Sequence, residues 1–147
     1  MTEPAPEDPT DWTDAGDLGA TGLDHLVLTC ADVEATTRWY AEVLGLEPIT
    51  FAGGRRGLAV GEHKINLHQA GSEYVPHAAA PTPGGADFCL RVAADVERLA
   101  EEFAARGVIV ELGPVDKVGA QAPLRSIYLR DPDGNLVELA NERPPQP

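Results

Sequence analysis

Three side chains of metal-binding type stand inside strand-like runs of this sequence: His25 in LDHLVLTC, His68 in KINLHQA and Glu138 in NLVELA. Two imidazoles and one carboxylate suit a borderline divalent cation such as Fe, Mn, Ni, Co or Zn. Three protein ligands leave positions open for substrate or water, which is the arrangement of a catalytic site rather than a structural one. Taken singly, each residue also has a plainer reading. A histidine in a strand is commonly hydrogen-bonded in place, and a glutamate is commonly solvated on an edge. Glu138, set among Leu136, Val137, Leu139 and Ala140, either points to water or has a partner.

The elements that would carry these residues recur along the chain. LDHLVLTC alternates, with His25, Val27 and Thr29 on one face and Leu26 and Leu28 on the other. A helix is expected next, with Asp32 as N-cap, Val33, Thr36, Tyr40 and Val43 at helical spacing, and Gly45 as its left-handed stop. Strands are expected near 47–52, 57–61 and 64–69. After an Ala-, Pro- and Gly-rich linker the program repeats: ADFCLRV as a strand, then ADVERLAEEFAARG as a helix capped by Asp95 and stopped at Gly107. GPVDKVGAQAP reads as an exposed loop. LRSIYLRD and NLVELA then form a hairpin about the turn DPDGN, whose composition is ordinary turn chemistry.

The tetrapeptide ADVE stands at 31–34 and again at 94–97, an offset of 63, which sets His25 over Phe88. NLHQA at 66–70 over LVELA at 136–140, an offset of 70, sets His68 over Glu138. A duplicated β-α-β-β-β unit is the simplest account. The expected fold is α+β, with two tandem modules forming a cupped, mostly antiparallel sheet and helices on the outer face. Strand parity puts Leu136, Glu138 and Ala140 on one face, and separates Asn66 and His68 from Ile65, Leu67 and Gln69. His25, His68 and Glu138 then share the concave side, at repeat-related places.

Composition narrows the function. The net charge of −13 is uneven, because residues 1–22 hold six carboxylates and no Lys or Arg. Residues 1–21 are expected to be a disordered acidic, Pro-rich tail, with Trp12 its one residue suited to docking. Residues 22–143 form one domain, with modules at about 22–70 and 85–143 and a linker at 71–84, and 144–147 are a tail. An acidic chain without a basic patch disfavours nucleic-acid and anionic-membrane partners. No run is long and apolar enough to span a bilayer, the start does not read as a signal peptide, and Cys30 and Cys89 lack metal-knuckle or disulfide spacing. A cytoplasmic protein with a small-molecule substrate is expected.

The runs LDHLVLTCADVEATTRWYAEVLGLE, KINLHQAG and SIYLRDPDGNLVELAN resemble the vicinal oxygen chelate superfamily, which includes glyoxalase I, fosfomycin-modifying enzymes, bleomycin-binding proteins and extradiol dioxygenases. The resemblance spans about residues 22–143 and is nearest to glyoxalase-domain-containing proteins with NLH in the fourth strand. It implies a metal inside a cup of paired modules, with ligands from the first and last strand of each, here His25, His68, Phe88 and Glu138. Phe88 cannot bind a metal, so four ligands become three. It is left to wall the pocket or to pack in the core. Tyr128 resembles the substrate-contacting tyrosine of the dioxygenases, or is a plain cross-strand aromatic. Asn66 and Arg56 are further pocket candidates, Arg56 for an anionic group, and Tyr74, His77, Lys117, Gln121 and Arg125 are candidates for its rim. The resemblance implies a metal-dependent lyase, isomerase or dioxygenase, usually a homodimer. A metal-free protein that sequesters an antibiotic or metabolite is the alternative.

Overall fold

The computed structural model describes residues 18–144. Residues 1–17 and 145–147, which include Trp12 and most of the acidic tail, lie outside it. The elements run β1 (His25–Cys30), α1 (Val33–Leu44), β2 (Glu47–Phe51), β3 (Arg55–Val60), β4 (His63–Gln69), β5 (Asp87–Arg91), α2 (Val96–Ala105), β6 (Leu112–Val118), β7 (Pro123–Arg130) and β8 (Leu136–Glu142). This is the β-α-β-β-β unit twice over. Each unit makes its own four-stranded sheet, in the orders β1-β4-β3-β2 and β5-β8-β7-β6. β1 and β5 lie parallel to β4 and β8, and the other pairs are antiparallel.

Both helices begin and end on the expected chemistry. The Asp32 carboxylate accepts from the amides of Glu34 and Ala35, and Asp95 does the same for Glu97. Gly45 closes α1 at φ 71°, and Gly107 follows α2 at φ 73°. One expectation fails: GPVDKV is strand β6 rather than loop. Val115 pairs with Ser126 and Lys117 with Leu124, after a register irregularity between Leu112 and Val115. β6 is the outer strand of its sheet, so Pro114, which has no N–H to give, is tolerated there.

The helix-side faces of both sheets close on one core. Leu28, Leu58, Ile65 and Leu67 from the first unit and Ile127, Leu129, Val137 and Leu139 from the second belong to a single buried cluster with Tyr40, Val96 and Phe103. The turn DPDGN locks the units together. Asp131, buried, accepts from the Tyr40 hydroxyl at 2.7 Å and from the Asn135 side chain at 2.8 Å. Asp133 accepts from the Ala31 amide at 3.2 Å. Burial, together with the Asp131 charge and hydrogen bond, drives the Tyr40 phenol well above its ordinary range. Gly84 lies against the same turn at φ 83°, where a Cβ would stand 2.3 Å from the Asp133 carbonyl oxygen. At the far ends of the helices, Arg106 donates to the Glu42 carbonyl at 2.7 Å.

The two units superimpose through their caps. Gln69 accepts from the Val33 amide and donates to the Ala31 carbonyl, while Asn141 accepts from the Val96 amide and donates to the carbonyls of Val92 and Ala94. Leu28 pairs with Leu67 as Leu90 pairs with Leu139. With Gln69 equivalent to Asn141, Glu138 matches Asn66 rather than His68, and His25 matches Asp87 rather than Phe88. The internal alignment drawn from the sequence is therefore two residues out in the last strand and one residue out in the first.

Candidate metal centre and substrate face

Each sheet has a second face, turned away from the shared core. On the first sheet it carries His25, Val27 and Thr29 of β1, Lys64, Asn66 and His68 of β4, and Arg55 and Gly57 of β3, by parity and register. On the second it carries Asp87 and Cys89 of β5, Glu138 of β8, and Ser126 and Tyr128 of β7. These open faces are poorly covered at their inner edges: His25, Val27, Asp87 and Cys89 are all exposed.

The donor atoms are held as a ligand set requires. Asp24 lies 2.7 Å from His25 Nδ1, and Nε2 has no hydrogen-bond partner among the described residues. That contact holds the Asp24 carboxyl below its usual range. Glu138 accepts on Oε2 from the Ser126 hydroxyl at 2.7 Å. Asn66 Oδ1 is buried without a hydrogen-bond partner among the described residues. Such an acceptor is costly to bury unless something meets it. Tyr128 stands directly across from Glu138, and desolvation followed by the hydrogen bond and charge of Glu138 pushes its phenol up to about 12. The Cys89 thiol, beside the same carboxylate, is likewise pushed up to about 12, by desolvation first and then by Glu138.

His68 sits deeper on the first face, 7% exposed, with Nδ1 unpartnered. Burial and the Arg55 charge hold its imidazolium below the usual range, so the ring is neutral at neutral pH. Tyr74 from the β4–β5 loop packs edge-on against it at 5.4 Å between centroids.

Two other candidates face the opposite way. Arg56 points to the helix side and pairs with Glu34 of α1, so Arg55 is the arginine on the open face. Phe88 shares the face of Val137 and packs against the core, which is the plainer of its two readings. Among the rim candidates, Arg125 binds Glu97 on the helix side, His77 contacts the Ala78 carbonyl through Nδ1, and Lys117 stands 5.7 Å from the Tyr128 ring. Asp87, Arg55 and Ser126 were missed in the sequence. A turn-anchored alignment that equated Gln69 with Asn141 would have found Asp87.

Among the described residues of one chain, no three His, Cys, Asp or Glu side chains converge on a metal position. The donors are divided between the two sheets, His25 and Asn66 on the open face of the first and Asp87 and Glu138 on that of the second.

The family model for the Glyoxalase/Bleomycin resistance protein/Dioxygenase superfamily matches residues 22–139. The chain belongs to this superfamily. A virulence protein of Salmonella typhimurium is 45% identical over 118 residues, covering 80% of this chain and 82% of that one. Its crystal structure superimposes with a TM-score of 0.82 at 43% identity, over 84% of this chain and 98% of that one. A glyoxalase domain-containing protein of Mycosarcoma maydis is 42% identical over 124 residues, covering 84% of this chain and 70% of that protein. A lactoylglutathione lyase from Agrobacterium tumefaciens, 22% identical with a TM-score of 0.64 over 83% of this chain and 94% of that one, shares the fold. So does an antibiotic-binding protein from Streptomyces, at 22% identity and 0.64 over 86% and 99% of the two chains.

Proposed function

We propose that this glyoxalase-superfamily chain is a metal-dependent enzyme acting on a small molecule with two vicinal oxygens, and that its site is completed by a second copy of the chain. The observation that carries the reading is the matched placement of His25 with Asp87 and of Asn66 with Glu138, the first member of each match on the open face of the first sheet and the second on that of the second. Setting the first face of one copy against the second face of another brings one imidazole, one amide oxygen and two carboxylates together, the donor types of a borderline or hard divalent cation. This revises the expected set: His68 leaves it, and Asp87 and Asn66 enter. The orphaned Asn66 Oδ1 and the Asp24-oriented His25 ring fit such an ion.

A bound divalent cation would supply Lewis-acid stabilisation of negative charge on the substrate oxygens. The chain's own groups do the rest. Ser126 holds one oxygen of Glu138 and so fixes the direction of the other. Tyr128, protonated throughout the neutral range, offers its hydroxyl hydrogen beside Glu138 and so serves as a donor to a substrate oxygen rather than as a base. Four protein donors and two substrate oxygens fill six positions. This favours isomerase or lyase chemistry by proton transfer over a reaction that also needs room for dioxygen.

The test is elemental analysis of protein loaded anaerobically with Fe(II), Mn(II), Ni(II) or Zn(II). The expected result is a stoichiometric divalent ion in the wild type and its loss in His25→Ala and in Glu138→Gln. A wild type that retains no ion under any loading would contradict the enzyme reading and favour metal-free sequestration.

A further inference from the structure

The open face of the first sheet carries a second polar group set that the metal does not use. His68 is nine-tenths buried, yet its Nδ1 meets no partner among the described residues. A ring nitrogen in that position loses its hydration with no return unless a ligand reaches it. Arg55 lies on the same face, one step along β3 from the Arg56–Leu67 pair, and so comes opposite His68. Its guanidinium stacks on the Tyr74 ring at 4.1 Å and makes no ion pair among the described residues. Tyr74 thus touches both groups, edge-on to His68 and face-on to Arg55. The neighbouring groups are engaged elsewhere. Glu73 turns back to accept from the Gly71 amide at 2.9 Å, and His77 contacts the Ala78 carbonyl. Beside this set the floor of the face is Gly57, where a Cβ would stand 3.0 Å from the Ile65 carbonyl oxygen and 3.2 Å from the Phe51 ring.

We infer that Arg55 and His68, braced by Tyr74, form a subsite for a substrate carboxylate, and that the substrate is a small organic acid whose vicinal oxygens lie toward Asn66 and His25. A guanidinium with an imidazole ring N–H matches the two oxygens of one carboxylate, and such charge-assisted bonds are the strong ones. The position of the vicinal oxygens rests on the metal reading above. The carboxylate subsite is tested separately from it.

The experiment titrates the full-length, metal-loaded protein with protocatechuate, protocatechuamide, catechol and inorganic phosphate by calorimetry, with metal content measured on each sample. The acid is expected to bind roughly tenfold tighter than its amide, the worth of one good charge-assisted pair. In Arg55→Gln and in His68→Leu that preference should fall to about unity, with metal content and amide affinity unchanged. The Arg55 side chain is part-exposed, so Arg55→Gln keeps the test open if His68→Leu fails to fold. Ring resonances of His68 should shift with the acid and not with the amide. Equal binding of acid and amide by the wild type overturns the subsite, as does phosphate binding as tightly as the acid, or loss of metal from His68→Leu. Acid preference retained in a metal-free wild type leaves the subsite standing and removes the metal reading instead.

Discussion

At the scale of single residues, Glu138 is the centre of the second open face. Ser126 donates to it, Tyr128 stands across from it and Cys89 lies beside it, so its charge is felt by a phenol and a thiol that both sit at about 12. Neutralising it has a definite sign for each. In Glu138→Gln the thiolate and phenolate lose a repelling charge, so both pKa values fall. Cys89 should be alkylated slowly by iodoacetamide at about pH 8 in the wild type, and several-fold faster in Glu138→Gln. The ultraviolet titration of Tyr128 should move to lower pH in the same variant. His25, Glu138 and Tyr128 were legible as chemistry because their types stood out in apolar strands. Asp87 was not, because an aspartate at the start of a strand reads as a turn residue until its partner across the repeat is known.

At the scale of elements, the turn DPDGN does more than reverse the chain. It presents Asp131 to Tyr40 of the first helix and Asp133 to the Ala31 amide, so the hairpin of one unit is bolted to the helix of the other. Tyr40→Phe removes one donor from a buried carboxylate and is expected to cost about 1–3 kcal/mol in denaturant unfolding, without change in metal content. Asn141→Ala removes the side chain that caps α2 and bridges to Val92 and Ala94. It is expected to cost about 1 kcal/mol in the same assay. The element boundaries were readable from caps, glycine stops and alternation. Strand β6 was not, because Gly113, Pro114 and the charges of Asp116 and Lys117 carry a loop's composition, while an edge strand needs only one good neighbour. The repeat was visible in ADVE, but its register in the last strand was not: NLHQA and LVELA align equally well by type at the wrong offset, and only the capping bonds of Gln69 and Asn141 fix it.

At the scale of the whole molecule, the shared core decides where a site can form. Both sheets spend their helix-side faces on one buried cluster, and His25 and Glu138 stand on the other faces of two different sheets. The sequence pattern showed two modules and a concave face but not their pairing, because parity assigns a side chain to a face and says nothing of which face meets which. On the proposed reading a two-fold dimer gives each site one face from each copy, and dissociation to monomers should release the metal as the dimer is diluted. The most direct measurement is a hybrid of two inactive homodimers, His25→Ala and Glu138→Gln, mixed, allowed to exchange subunits and loaded anaerobically. Both changes fall in one site of the hybrid dimer and the other site is intact, so the account predicts that hybrids recover one metal ion per dimer although neither parent holds any. Hybrids that form and stay metal-free would contradict it.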